Sequence, residues 1–165
     1  ATALNARMTV KDQLLDPLKV HNVGSAADRE SRVRELIGLV GLPSSALEAL
    51  PGQLSGGQRQ RVAIARALAL EPDAIIADEP TSALDVSVRA QILNLLTDLK
   101  ASLGLSMVFI SHDIQTVRYI SDRICVMLKG QIVEEGTVEQ VFHNPANDYT
   151  KSLLGAAPSL LHPSL

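Results

Sequence analysis

The 165-residue sequence is poor in aromatic side chains, with two Tyr, two Phe and no Trp. A domain that binds single-stranded nucleic acid by stacking bases on rings would need more of them. The formal net charge of −3 also argues against a large contact with a phosphate backbone. Apolar residues make up 46% of the chain, which is typical of a globular protein with a core of Leu, Ile, Val and Ala. We therefore expect no nucleic-acid partner.

The sequence has a single cysteine, Cys125, which excludes an intrachain disulfide and suits a reducing compartment. Its place in the apolar run "RICVML" predicts a small core residue rather than a reactive thiol. No apolar run approaches the roughly 18 residues that cross a bilayer. The N-terminal residues also lack the basic and apolar regions of a signal peptide. Because the chain begins without Met, we expect it to be a fragment of a longer protein.

The first seventy residues have helical patterns separated by polar loops. Ser25 and Asp28 have the spacing of a capping box, and Gly41 can end the helix that they begin. Capping and breaking residues together predict three helices: residues 10–19, ended by Asp16-Pro17, residues 26 to about 40, and residues 58–70.

Beyond residue 70, short apolar runs alternate with helical patterns. The runs predict two buried strands, "AIIAD" and "SMVFI", separated by a helix from Val86 to about Leu103. "RICVML" and "QIVEE" flank Lys129-Gly130 and predict a hairpin. Strands that alternate with helices indicate an α/β fold. We divide the chain into a helical subdomain over 1–70, an α/β core over 71–136 and a helical tail over 137–165.

The stretch "LSGGQRQRVAIARAL" places two adjacent glycines, Gly56 and Gly57, at the start of a helix. Each costs a helix about 1 kcal/mol relative to Ala. A helix N-terminus has unpaired N–H groups and a partial positive charge, so it suits an anion. Glycines would let a phosphate approach the backbone, with the Ser55 hydroxyl as a further donor. On this interpretation, Gly57→Asp obstructs the ligand and leaves the fold intact.

A capping box is the alternative for this stretch, because Ser55 and Gln58 have the S-x-x-Q spacing. Capping explains these two residues but not the glycines. If capping were the whole explanation, Gly57→Ala would be neutral or slightly stabilising.

Two further groups of polar residues follow the predicted strands. Asp78 and Glu79 need a cation or hydrogen bonds at a buried strand end. Asp78 could hold Mg²⁺ through water, and Glu79 could polarise an attacking water. The alternative is two solvated acids before Pro80.

His112 ends "VFISH" at the sheet edge where ligands bind in open α/β folds. A structural histidine, with Asp113 as the N-cap of the next helix, is the alternative there.

The order of "LSGGQ", "IIADEPTSALD" and "ISHD" resembles that of the nucleotide-binding domain of ABC-type ATPases, over nearly the whole chain. The resemblance implies an α/β domain of the P-loop NTPase type, present here as the helical subdomain and the C-terminal part of a parallel-sheet core. It also implies that "LSGGQ", residues 54–58, is the signature motif, which binds the γ-phosphate of an ATP held mostly by the other subunit of a head-to-tail dimer.

The resemblance implies a role for each of these residues. Glu79 would be the catalytic base, Asp78 the metal ligand and His112 the switch histidine that senses the γ-phosphate. Ser82–Asp85 would be the D-loop. The ATP-binding residues would be Ser55, Gly56, Gly57, Gln58 and Asp85.

The P-loop itself is missing from the sequence. That element has the pattern Gly-x-x-x-x-Gly-Lys-Ser/Thr, whose backbone N–H groups and Lys cradle the phosphates. No Gly-Lys dipeptide occurs in the 165 residues. We therefore expect that this chain alone neither binds ATP and Mg²⁺ tightly nor hydrolyses ATP.

The C-terminal segments indicate the subgroup. The hairpin "VMLKGQIVEEGTVEQVF" and the tail "NPANDYTKSLLGAAPSL" resemble importer ATPases, and the tail is most like the oligopeptide, dipeptide and nickel importer group. Asn147-Asp148 stand where that group usually has His-Pro. The resemblance implies an ATP-hydrolysing subunit of an importer of oligopeptides or dipeptides, on the cytoplasmic face of the cell membrane. Its implied partners are a second ABC ATPase subunit, a transmembrane permease and, indirectly, a substrate-binding protein.

Two alternatives stay open. The helical segment over 1–70 could be a permease-docking module without catalysis, since docking needs no P-loop. The chain could also come from a soluble ABC-type ATPase outside transport.

Overall fold

The computed structural model describes residues 4–156, in which seven α-helices and four β-strands are found. The helices are α1 Val10–Val20, α2 Ala26–Leu39, α3 Gly56–Ala67, α4 Val86–Leu103, α5 Ile114–Ile120, α6 Val138–His143 and α7 Asp148–Ala156. The strands are β1 Ala74–Asp78, β2 Ser106–Ile110, β3 Arg123–Leu128 and β4 Gln131–Thr137. The chain divides into two compact units, the first ending at Val108 and the second beginning at Phe109.

In the first unit, α1, α2 and α3 pack against one another. Their shared core consists of fully buried aliphatic side chains, among them Leu14, Leu18, Leu36, Val62 and Leu68. The predicted capping box of α2 is present, since Ser25 and Asp28 exchange hydrogen bonds. Gly41 follows the last turn with a φ of +66°, a left-handed conformation that glycine adopts without cost.

Two of the predicted helices have different limits in the structure. Helix α1 does not end at Asp16-Pro17 but continues to Val20, because Pro17 lies in its last turn and the His21 N–H closes that turn on the Pro17 carbonyl at 3.1 Å. Helix α3 is Gly56–Ala67 rather than 58–70, because Ser55 is its N-cap and Leu68 its C-cap. Both glycines therefore belong to the first turn of α3.

Strands β1 and β2 form a two-stranded sheet. The Ser106 N–H extends it by donating to the Asp73 carbonyl at 3.0 Å. The prediction that these strands are buried is wrong for the described residues: Ile75 is buried, but Ile76 is 75% exposed and Val108 56% exposed. Successive strand residues point to opposite faces, so residues 4–156 cover one face of β1 and leave the other open.

Helix α4 has the predicted limits. Asp85 caps its N-terminus, and Gly104, with a φ of +64°, ends it. Its buried face consists of Ile92, Leu93, Leu96 and Leu99.

In the second unit, β3 and β4 form the predicted antiparallel hairpin. Lys129 and Gly130 have φ of +51° and +79°, as a two-residue type I′ turn requires. Ile124 and Val126 face a small core that includes Val141. The prediction of a core cysteine is wrong, because strand alternation turns Cys125 away from these two residues and exposes it.

The predicted helical tail is α6 and α7, with Pro145 between them. Residues 157–165, including Pro158, lie outside the described residues. None of the helices within residues 4–156 combines the length and the apolar character needed to cross a membrane.

Candidate functional site

The residues Ser55–Gln58, which we call the signature turn, begin α3 with a reciprocal cap. The Gln58 N–H donates to Ser55 Oγ at 3.2 Å, and the Ser55 N–H donates to Gln58 Oε1 at 2.8 Å. The first intrahelical bond runs from the Arg59 N–H to the Ser55 carbonyl at 2.9 Å. Helix geometry leaves the N–H groups of Gly56 and Gly57 without an intrahelical acceptor. The positive end of α3 thus offers two backbone donors to an anion.

Both glycines of the signature turn lie against the segment that begins α4. A Cβ added to Gly56 would lie 3.4 Å from Leu84 Cδ2, which is an ordinary contact. A Cβ added to Gly57 would lie 2.6 Å from Val88 Cγ1, which is too close for any side chain. This contact argues against both expectations for Gly57, namely that Gly57→Asp leaves the fold intact and that Gly57→Ala is neutral.

Asp85 orients this segment. Its Oδ1 accepts from the Val88 N–H at 2.9 Å and from the Ser87 hydroxyl at 2.8 Å. The Val88 N–H, followed by the Ser87 hydroxyl, holds the pKa of Asp85 below its ordinary value. Asp85 is therefore an ionised N-cap in the folded chain at neutral pH. Its expected contact with a nucleotide stays a prediction.

Asp78 and Glu79 lie where β1 ends. Asp78 is exposed and Glu79 is half-buried. Glu79 has a φ of +48° and directly precedes Pro80. Its carbonyl oxygen accepts from the Ser82 hydroxyl at 3.1 Å. A left-handed glutamate is uncommon, and a following proline restricts the backbone further. Such strained residues cluster at functional sites.

His112 belongs to the second unit, whereas the other predicted site residues belong to the first. It follows β2 and is exposed. The next residue, Asp113, caps α5 by accepting from the N–H groups of Gln115 at 3.0 Å and Thr116 at 3.3 Å. The predicted capping role of Asp113 is confirmed, and the role of His112 stays a prediction.

A metal site made by protein side chains alone is not found in the part of the chain that the structure describes, since no three His, Cys, Asp or Glu side chains cluster there. Magnesium in nucleotide sites keeps several waters and binds one or two carboxylates plus the substrate phosphates. The single exposed carboxylate of Asp78 fits that mode of binding.

Sequence reasoning missed the residues that hold α3 in place. Arg61 Nη1, on α3, donates to the Val40 carbonyl at the end of α2 at 2.6 Å. Arg32 Nη2, on α2, donates to the Leu68 carbonyl at the end of α3 at 2.9 Å. We call these two hydrogen bonds the arginine clasps. The sequence pattern marks both residues only as polar positions on amphipathic helices.

Comparison with known proteins gives consistent matches. A family model described as "ABC transporter" matches residues 1–82. Oligopeptide transport ATP-binding protein OppF of Streptococcus mutans is 54% identical over 157 residues, which cover 94% of this chain and 51% of that protein. Dipeptide transport ATP-binding protein DppF of Escherichia coli is 50% identical over 158 residues, which cover 96% of this chain and 47% of that protein. The chain therefore spans about half the length of these relatives.

A solved structure is similar as well. It is described as the dimeric structure of a post-hydrolysis state of the ATP-binding cassette MJ0796 bound to ADP and Pi. The TM-score is 0.71 at 36% sequence identity, and the match covers 83% of this chain and 60% of the solved chain.

Proposed function

Because the chain belongs to the ABC transporter family, we propose that it is part of an ATP-hydrolysing subunit that powers a peptide importer. The predicted fold class, an α/β domain of the P-loop NTPase type, is confirmed by the same membership and by the likeness to a solved ATP-binding cassette. The names of the relatives, which specify oligopeptide and dipeptide transport, support peptides as the cargo. The dimeric, ADP-bound state of the solved neighbour supports a nucleotide site at a dimer interface.

The observation that carries the proposal is the capped start of α3. The signature turn presents the N–H groups of Gly56 and Gly57 at the positive end of a helix, and the Ser55–Gln58 cap fixes their direction. We assign this turn to the γ-phosphate of a nucleotide held mainly by a second subunit. A site that is completed only by dimerisation explains why the turn lies at the surface with unused donors.

The acids after β1 carry the chemistry in this proposal. Glu79 accepts a proton from the attacking water at its half-buried carboxylate. Asp78 is the residue that would hold Mg²⁺, which neutralises charge on the nucleotide phosphates. His112, exposed at the start of α5, donates a hydrogen bond to the γ-phosphate.

The proposed partners are a second ABC ATPase subunit and a transmembrane permease, with a substrate-binding protein acting indirectly. The subunit would lie peripherally on the cytoplasmic face of the membrane. A pocket of about 210 Å³ between α1, α2 and the end of α3 is a candidate contact for the permease. Its walls combine apolar residues with charges of both signs: Leu18, Val23, Ala69 and Leu70 with Asp28, Arg29, Arg32 and Glu71.

The same pocket would also serve a second candidate function, a docking module without catalysis. The 165 residues contain no Gly-Lys dipeptide and hence no P-loop to grip a nucleotide, whereas docking on a permease requires none.

One pair of measurements on the same samples separates the two functions: ATP hydrolysis, and capture of the permease from detergent. The full-length protein should hydrolyse ATP and capture the permease. Capture without hydrolysis by the full-length protein would favour the docking module. Hydrolysis without capture of any permease would instead place the protein among ABC-type ATPases outside transport.

A further inference from the structure

We propose that Val88 is a positioning residue for the signature turn, and that position 57 is a glycine because Val88 occupies the space of a side chain there. The positioning role is tested through ATP hydrolysis and therefore rests on the proposed function. The steric claim about position 57 does not. The role concerns packing within one chain and is separate from the approach of a phosphate to the backbone.

Val88 leaves no room for a side chain at position 57. A Cβ on Gly57 would lie 2.6 Å from Val88 Cγ1 and 3.9 Å from Val88 Cβ. Valine is branched at Cβ and has one strongly preferred rotamer in a helix, so its methyl group cannot swing away freely. A substitution at Gly57 must therefore move α3 relative to α4, or strain Val88.

Gly56 provides an internal comparison. A Cβ there would lie 3.4 Å from Leu84 Cδ2, at ordinary van der Waals distance and against the flexible end of a leucine. The two glycines are adjacent in the same first turn, yet only Gly57 lacks room. The steric demand is therefore specific to one position.

Val88 is itself held firmly. Its N–H donates to Asp85 Oδ1 at 2.9 Å, which fixes the first turn of α4. In the segment that leads into α4, the Leu84 N–H donates to the carbonyl of the buried Thr81 at 3.2 Å. These bonds make the start of α4 a fixed support for the start of α3. The direction of the Gly56 and Gly57 N–H groups therefore depends on Val88.

The test exchanges volume between the two positions. Gly57→Ala, Val88→Ala and the double variant are made in the full-length protein, with Gly56→Ala as the matched control. Thermal unfolding is measured without nucleotide, and ATP hydrolysis is measured separately. We expect Gly57→Ala to lower the Tm by about 3 °C or more and hydrolysis by about tenfold. The double variant should recover the Tm, because the methyl group added at position 57 fills the space that the Val88 methyl groups leave. Val88→Ala alone should lower hydrolysis, because the signature turn loses its support.

The control variant and the contrary outcomes separate the steric claim, the positioning role and the proposed function. Gly56→Ala should melt within about 1 °C of the parent, and adding Val88→Ala should not improve it. A Gly57→Ala protein with the parent's Tm overturns the steric claim. Unchanged hydrolysis in Val88→Ala overturns the positioning role, since the direction of the Gly56 and Gly57 N–H groups would then not depend on Val88. Absence of hydrolysis in the parent would contradict the proposed function, and the melting data would still decide the steric claim.

Discussion

The guanidinium of Arg61, within α3, donates a hydrogen bond of 2.6 Å to the carbonyl oxygen of Val40, the C-cap residue of α2. A Cβ on the neighbouring Gly41 would lie 3.2 Å from Arg61 Nη1, so the glycine also makes room for the arginine. Arg32 makes the return contact from α2 to the end of α3. The arginine clasps thus join α3, which carries the signature turn, to α2 at two points.

Replacing Arg61 with Met should destabilise the first unit, because the last turn of α2 loses a charged donor to its carbonyl. We expect the free energy of unfolding to fall by about 1–2 kcal/mol, a moderate value because Arg61 is half-exposed. Urea denaturation of the full-length protein measures the change. Arg34→Met, at an exposed position on α2, is the control and should change the stability little. Equal losses in the two variants would contradict a specific role for the clasp.

Glu134, on β4, holds the start of the tail in the second unit. Its carboxylate accepts from the Ala146 N–H at 2.7 Å and from the Asn147 N–H at 3.2 Å. The buried Thr150 hydroxyl, followed by the Ala146 N–H, holds the pKa of Glu134 below its ordinary value. A lowered pKa in the folded state means that the carboxylate stabilises the fold above the pKa of an unfolded glutamate. That contribution is lost as the pH falls through the folded value.

We therefore expect α7 to be protected at neutral pH and to loosen in acid, below the ordinary glutamate range. Amide-exchange protection factors of α7, measured from pH 7 downward, report this change. Glu134→Gln should weaken protection at pH 7 and flatten its dependence on pH. Glu135→Gln, at the exposed neighbour, should keep the parent's profile. The assignment fails if both variants titrate alike.

The features that the sequence predicts correctly are mostly local. Ser25 with Asp28, Asp113 at the start of α5, and the Lys129-Gly130 turn each act within a few residues of their own position. Their chemistry is the same in almost any context, because capping and left-handed turns satisfy backbone groups next to them. The spacing of the three motifs likewise indicates the family correctly.

The features that the sequence does not predict depend on contacts between distant residues. Apolar spacing places Val88 on one face of α4, but it cannot tell which neighbour Val88 meets, and Gly57 lies 31 positions earlier. The arginine clasps join residues that are 21 and 36 positions apart. The exposure of Ile76 and Cys125 depends on which strand face is covered, and an apolar run does not specify that.

The isolated chain of 165 residues should not bind ATP with micromolar affinity. Its signature turn offers two backbone donors, whereas a P-loop surrounds the phosphates with several N–H groups and a lysine. Calorimetry on residues 1–165 tests this expectation, and the full-length protein is the positive control. Micromolar binding by the isolated chain would show that these 165 residues bind the nucleotide without a P-loop.

Glu71, in the same unit, has nearly the same backbone conformation as Glu79. Glu71 and Glu79 have φ of +51° and +48°, and each directly precedes a proline. Glu71 is exposed and lies 3.5 Å from Arg32 in an ion pair at the surface. The two glutamates share backbone conformation and sequence context, so they differ chiefly in location.

Glu79→Gln in the full-length protein should lower the turnover of ATP by about 10²–10⁴-fold, because the amide cannot accept the proton of the attacking water. ATP affinity should remain, since size and hydrogen bonding are kept, and the ATP-bound dimer should accumulate in size-exclusion runs. Glu71→Gln makes the same chemical change in the same backbone conformation and should retain the parent's turnover. If Glu79→Gln retained more than about a tenth of the parent rate, Glu79 would not be the base. If the two variants lost turnover equally, the loss would come from replacing a glutamate in this backbone conformation, and it would not identify Glu79 as the base.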